Sequence, residues 1–164
     1  MDKSIAGRRT TPHNVTMKKA PLHLIKLCVG AASVVDLADW QAKHRKSKTA
    51  SGRACVAHTT FQAPTRQAEL LGGGSLYWVI KGTILVRQLL IGFTEGAKDD
   101  GSPCCVFQLD PKLIAVRPTP RRAFQGWRYL TEEDAPSDIK GAAANAAAAM
   151  PTDMRRKLAE LGLI

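Results

Sequence analysis

The segment Leu22–Val29 is largely apolar on both faces of an extended strand, and this feature most restricts how the chain can fold. One set of alternating positions is Leu, Leu, Lys and Cys, and the other is His, Ile, Leu and Val. Alternate residues of a strand point to opposite faces of its sheet, so both faces must be covered. The pattern therefore predicts a central strand, which Gly30 ends.

A second strong strand is predicted over Ser75–Lys81, where Tyr77 and Trp78 point to opposite faces. We expect one ring in the core and leave the other either to the core or to a pocket. The other strands are expected near residues 55–61, 83–93, 104–109 and 113–117, with a turn at Gly82. The intervening segments 46–53 and 118–129 are predicted to be loops.

Helices are predicted at both ends of the strand-rich region. Ser33 followed by Asp36 is typical of a capped helix start, which predicts a helix over Ser33–Lys43. Basic residues follow in His44–Lys48, where they suit the helix dipole. Further helices are expected at residues 65–71, stopped by three glycines, from residue 131 for a short acidic stretch, and at residues 151–163. The last has Met154, Leu158 and Leu161 on one face.

This order of elements predicts an α+β domain built on a small mixed β-barrel with flanking helices. We assign residues 21–164 to this single domain and an alanine-rich linker or helix to residues 141–149. Residues 1–20 are interpreted as a disordered basic tail, with Met17 as an alternative start. No apolar run reaches the ~20 residues of a membrane helix, so no membrane partner is expected.

The chain has four cysteines and a net charge of +10. No Cys-x-x-Cys pair or secretory signal is present, so the cysteines are interpreted as reduced thiols of a cytoplasmic protein, with no metal or cofactor. The positive excess lies before residue 131, and residues 131–164 are mildly acidic. Such a basic body attracts polyanions. Charge that serves only solubility is the alternative.

The segment Arg121–Tyr129 holds three arginines and three aromatic residues. Guanidinium groups bind phosphate, and aromatic faces stack on unpaired bases. Alternatively, the aromatic rings clamp this loop onto the sheet while the arginines are solvated or paired with acids at 132–134. We predict a binding groove between the His58–Phe61 strand and this loop. Its residues are His58, Thr59, Lys81, Arg87, Arg121, Arg122, Trp127, Arg128 and Tyr129.

No catalytic motif is recognisable in the chain. The Gly72–Gly74 run precedes a strand, whereas a phosphate-binding loop follows a strand and opens a helix. There is no Gly-x-Ser-x-Gly and no His-Glu-x-x-His sequence. The glycine run is therefore interpreted as a helix stop and turn.

Three strings of sequence resemble a bacterial family of uncharacterised proteins, domain of unknown function fourteen eighty-nine. They are Leu22–Gly30, Gly73–Gly82 and Pro120–Leu130 with the Glu133–Pro136 segment. The resemblance runs from about residue 22 to residue 164 and implies no activity, since the family has none established. The family has Arg and Met after its His-x-Thr segment, and this chain departs from that pattern at His58–Phe61. More distantly, the order of elements is similar to the PUA-like superfamily, particularly its EVE and ASCH branches, whose members commonly bind RNA or modified bases.

The leading hypothesis is a nucleic-acid-binding module for RNA or a modified base, without catalysis. One alternative is a small enzyme that acts on a nucleotide or nucleic acid through His58 or Asp110. Another is a protein-interaction module with Trp127 and Tyr129 as interface anchors. The sequence indicates neither the ligand nor the oligomeric state.

Overall fold

The computed structural model describes residues 20–140 and 151–162, which form eight strands and three helices. The helices are α1 (Val34–His44), α2 (Gln67–Leu71) and α3 (Thr152–Glu160). The strands are β1 (His23–Leu27), β2 (Lys46–Lys48), β3 (Ala54–Thr60), β4 (Ser75–Ile80), β5 (Thr83–Ala97), β6 (Pro103–Leu109), β7 (Ile114–Pro120) and β8 (Trp127–Leu130). The prediction of an α+β domain is confirmed.

The strands form one mixed sheet in the order β2-β3-β6-β5-β4-β1-β8, and β7 pairs with β5 beside this path. Of these strand pairs, β1 with β4 is parallel and the others are antiparallel. The long strand β5 joins the two halves of the sheet, because its first part pairs with β4 and its second part with β6. The path ends at β2 and β8 without closing, so the predicted barrel is not confirmed.

Two cores lie on the opposite faces of β1 and β4. Leu24 and Trp78 belong to the core that α1 covers, which we call the α1 core. Ile25 and Tyr77 belong to a smaller core that includes Val116 of β7, which we call the β7 core. Leu24, Ile25, Tyr77 and Trp78 are each no more than 4% exposed. The prediction that β1 is a central strand is therefore confirmed, and both aromatic rings of β4 lie in the core.

Three segments differ from the prediction because their structure depends on distant partners. β2 forms in the predicted loop 46–53 by pairing with β3. The predicted loop 118–129 instead contributes the end of β7 and most of β8, which pairs with β1. The acidic stretch after Thr131 makes a turn rather than a helix, and the Glu132 carboxylate accepts a hydrogen bond from His23 Nε2.

The face of α3 that packs on the domain is not the predicted one. Met154 and Leu161 are 51% and 69% exposed, whereas Thr152 and Arg155 are buried. Thr152 Oγ1 donates a hydrogen bond to the Ala32 carbonyl at 2.8 Å, which ties α3 to the loop before α1. The predicted tail and the alanine-rich segment fall largely outside the described residues. No helix in the described part of the chain is long and apolar enough to span a membrane.

Two buried glutamines dock α1 onto the sheet. Gln41 of α1 and Gln88 of β5 exchange two hydrogen bonds through their amides, at 2.8 and 2.9 Å. Gln88 also accepts from Trp78 Nε1 at 2.8 Å and donates to the Asp110 carbonyl at 3.1 Å. Gln88 is fully buried, so this network satisfies polar groups that water cannot reach.

Replacing Gln88 with leucine should destabilise the domain strongly. The substitution leaves Trp78 Nε1 and the Gln41 amide buried without partners, so we expect a loss of about 3 kcal/mol in unfolding free energy. Urea denaturation measures it. Gln125→Leu makes the same change at an exposed position and should stay near wild type. Equal stability of the two variants would contradict the role given to the network.

Gly74 lies where the end of α2 meets the start of β1, and it has no room for a side chain. A Cβ at this position would stand 2.0 Å from the Leu22 carbonyl oxygen and 2.5 Å from that of Leu70. Both obstacles are backbone atoms, which cannot rotate away. The glycine run is thus a helix stop, as predicted, and also a point of close backbone contact.

We expect Gly74→Ala to lower the melting temperature sharply or prevent folding, because the backbone of two elements must move apart. Gly72→Ala is the matched control, since its Cβ would meet nothing closer than 3.4 Å. A thermal melt followed by circular dichroism compares them. The explanation is wrong if Gly72→Ala melts as low as Gly74→Ala.

Candidate functional site

A pocket of about 300 Å³ opens at the end of β1, between α1 and strands β3 and β4. Its apolar wall includes Leu27, Leu37 and Val56. The polar and aromatic side chains that line it are Lys26, Asp36, Trp40, Gln41, Arg45, His58 and Trp78. A concave, mainly apolar pocket with a few convergent polar groups is the usual form of a small-ligand site, at the lower end of the common size range.

His58 projects from β3 into this pocket. Its ring meets Trp78 edge to face, with the ring centroids 5.0 Å apart. The Nε2 atom is buried and has no hydrogen-bond partner among the described residues. Burial, with the nearby charges of Lys26 and Arg45, lowers the pKa of His58 to about 4. The imidazole is therefore neutral at pH 7, with one nitrogen available to a ligand.

Lys26 reaches the pocket from the α1 side of the sheet. It is in register with Trp78 on β4 and with Trp127 on β8, so its stem lies between two aromatic residues on the same face. Burial is the main cause that lowers the pKa of Lys26. Within residues 20–140 and 151–162, no carboxylate forms an ion pair with it.

Arg45 reaches the pocket from the end of α1. Its backbone N–H caps the helix by donating to the Gln41 carbonyl at 3.0 Å. The guanidinium carbon stands 4.6 Å from the centre of the Trp40 ring, a cation–π contact. The buried Nε atom has no partner in the described part of the chain, and no carboxylate there forms an ion pair with the guanidinium.

Two further groups set the chemistry of the pocket. Asp36 is its acidic residue, and Asp36 Oδ2 accepts a hydrogen bond from the Ala32 N–H at 3.1 Å. Burial raises the pKa of the Cys28 thiol to about 11, so the sulfur stays protonated at neutral pH. A protonated thiol is a poor nucleophile, which disfavours a Cys–His catalytic pair in this pocket.

A basic edge runs beside the pocket. It consists of the exposed residues Lys43, Lys46 and Lys48, at the end of α1 and on β2. β2 pairs with β3, the strand that carries His58, so these lysines and the pocket lie on adjacent elements. The basic run His44–Lys48 is the sequence signal for this edge, which the sequence analysis assigned only to the helix dipole.

Trp127 and Tyr129 hold a loop in place, but it is not the loop that the sequence analysis expected. Both residues lie on β8, and they hold the segment Gln62–Arg66 rather than their own segment. Trp127 Nε1 donates to the Gln62 carbonyl at 2.7 Å. The Tyr129 hydroxyl accepts from the backbone N–H of Thr65 at 3.1 Å. The two rings also meet edge to face, with centroids 5.1 Å apart. Both residues are half-buried and pack against the α1 core.

The predicted arginines are divided between different surroundings. Arg87 makes a two-pronged ion pair with Asp138, with both N–O distances 2.8 Å. Arg121 and Arg128 flank Phe124, a residue of the β7 core, at 5.9 and 5.3 Å from its ring centre. Arg128 is in register with Ile25, so it lies on the face opposite Trp127.

The other predicted residues lie outside the pocket. Lys81 forms the β4–β5 turn with a φ of +47°, and Arg122 is exposed beyond β7. Thr59 is exposed and points away from the side of β3 that carries His58. The structure thus places only His58 of the nine predicted residues in the pocket. Asp110, proposed for an enzyme, pairs with Arg53 at 2.9 Å.

The comparisons with known proteins identify a family without a function. A family model described as "Protein of unknown function (DUF1489)" matches residues 24–164. No curated protein and no solved structure matches the chain. Among the described side chains, no group of three His, Cys, Asp or Glu is placed to hold a metal ion.

The low pKa of His58 predicts a stability loss in mild acid. As the pH falls, the His58 imidazole is protonated near pH 6.5 in the unfolded chain but only near pH 4 in the folded protein. Between these two values, protonation therefore stabilises the unfolded state. Above pH 6.5 this effect is absent, and between pH 6.5 and 4 it lowers the free energy of unfolding by roughly 3 kcal/mol. Denaturation of wild type and of His58→Gln at several pH values in this range measures how much of the stability loss is due to His58.

His44→Gln is the control, because His44 is exposed on α1. We expect His58→Gln to lose more of the wild-type pH dependence than His44→Gln does. An NMR titration in which the His58 ring becomes protonated near pH 6.5 in the folded protein would contradict the prediction.

Proposed function

The chain belongs to this family of unknown function, and we propose that it binds single-stranded RNA, with one nucleotide entering the pocket beside His58. The observation that carries the proposal is the position of the basic edge next to a pocket that combines cations with aromatic rings. Single-stranded nucleic acid is bound by such combinations, in which cations follow the phosphates and aromatic faces stack on bases.

The basic edge supplies the contacts to the RNA backbone. Lys46 and Lys48 are two residues apart on β2, which places them on the same side of the strand at about 7 Å between Cα atoms. Neither is in an ion pair within the part of the chain that the structure describes. Both side chains are therefore available to phosphates.

The pocket supplies the contacts to one nucleotide. Trp40 is 42% exposed at its rim, which offers aromatic surface to a base, plain or modified. Neutral His58 offers a ring nitrogen for a hydrogen bond to that nucleotide. The distant PUA-like resemblance leads to the same expectation, but the proposal depends on the pocket and not on a closed barrel. We propose a cytoplasmic location, where the four free thiols stay reduced.

Two variants with equal charge change test which surface binds RNA. Lys46→Ala with Lys48→Ala removes two charges from the basic edge, and Arg121→Ala with Arg122→Ala removes two charges from the segment after β7. The first should weaken binding to a labelled single-stranded RNA about tenfold and reduce the salt slope by about 1.4, since two phosphate contacts are lost. Fluorescence anisotropy over a salt series measures both quantities.

The Arg121/Arg122 variant should bind within about twofold of wild type, because long-range charge alone changes little at moderate salt. The reverse result would place RNA at Arg121 and Arg122, which the sequence analysis included in its predicted groove. Wild-type protein that does not bind RNA even at low salt would refute the proposed function.

A further inference from the structure

We infer that the pocket beside His58 is a site for a phosphomonoester group, carried either by the end of an RNA strand or by a free nucleotide. If the phosphate belongs to the end of an RNA strand, the inference rests on the proposed function. If it belongs to a free nucleotide, the inference is independent of that function. The inference goes beyond RNA binding because it assigns the pocket a chemical group that the interior of an RNA strand lacks.

The first argument is that two cations in the pocket lack an ion-pair partner. Lys26 enters from β1 and Arg45 from the end of α1. Arg87 and Arg53, by contrast, pair with Asp138 and Asp110. Among residues 20–140 and 151–162, no acid pairs with Lys26 or Arg45. Bringing two partly buried like charges together is unfavourable unless an anion joins them.

The second argument is that polar atoms at the pocket lack partners. Arg45 Nε and His58 Nε2 are both buried and have no hydrogen-bond partner in the described part of the chain. Buried polar atoms are rarely left unsatisfied, and each exception calls for an explanation. The N–H of Arg45 is a donor, and neutral His58 has one ring N–H to donate. Phosphate oxygens accept from both.

The third argument is the match of charge. A phosphomonoester carries about −1.5 to −2 at pH 7, whereas a phosphodiester inside a strand carries one negative charge. Lys26 and Arg45 together supply two positive charges, and His58 adds none because its pKa is about 4. The pair of cations therefore matches the charge of a terminal phosphate that contacts both of them, while the Asp36 carboxylate keeps its own contact with the Ala32 N–H.

The fourth argument is the closed floor of the pocket. Gln41 and Trp78 line it, and both are fixed by hydrogen bonds to the buried Gln88. An RNA strand has no exit through this floor, so a phosphate that reaches it belongs to the end of a strand or to a free nucleotide. The acidic Asp36 is held at the start of α1 by the Ala32 N–H, which is a separate contact from the two cations.

The test compares ligands that differ by one phosphate. Isothermal titration should show AMP binding the full chain at least about tenfold more tightly than adenosine. Arg45→Gln and Lys26→Gln should each weaken AMP binding about tenfold and weaken adenosine binding much less. Arg117→Gln is the matched control, since Arg117 is an exposed arginine on β7. Melting curves establish that each variant is folded, and Lys26→Gln keeps the test valid if Arg45→Gln is unstable.

A second measurement separates the sources of the phosphate. The same RNA is titrated with a 5′-phosphate, with a 3′-phosphate and with both ends as hydroxyls. Tighter binding of one phosphorylated form, lost in Lys26→Gln, supports the strand end. AMP binding without any RNA binding supports the free nucleotide and refutes the proposed function. RNA binding that ignores terminal phosphates, with AMP no tighter than adenosine, overturns this inference and leaves the proposed function intact.

Discussion

The buried pair of Gln41 and Gln88 is the interaction on which the site depends. Amides at this depth must find protein partners, and the ones they find belong to α1, to β4 and to the segment after β6. The pair fixes how α1 lies on the sheet. Because α1 is fixed, its last turn delivers Arg45 beside β3, and the floor of the pocket is closed.

The charges of the pocket differ from the ion pair on the β7 side of the sheet. Arg87 and Asp138 compensate each other on the β7 side, and the resulting hydrogen bonds lower the pKa of Asp138. In the pocket, burial lowers the pKa values of Lys26 and His58. Among the described residues, no carboxylate pairs with either side chain. Perturbed titratable groups gathered in one concave site are typical of functional sites.

Much of the fold was predictable because the patterns that define it are local. Ser33 accepts a hydrogen bond from the Asp36 N–H, as the capping pattern predicted, and β4 spans Ser75–Ile80 within one residue of expectation. The edge strands β2 and β8 were missed because a short strand exists only through its partner. The site was predictable only at His58. Lys26 was hidden inside an apolar strand pattern, and Arg45 inside a basic helix end.

The sequence by itself determined that Tyr77 and Trp78 face opposite sides of a buried strand, since alternation is a property of the extended backbone. It also determined the excess of positive charge. Only the tertiary structure decided that Trp127 lies on one face and Arg128 on the other, because that depends on the register of β8 with β1. The tertiary structure also decided which cations pair with a carboxylate and which lie unpaired in the pocket. Ion pairing depends on distances between residues that are far apart in the chain.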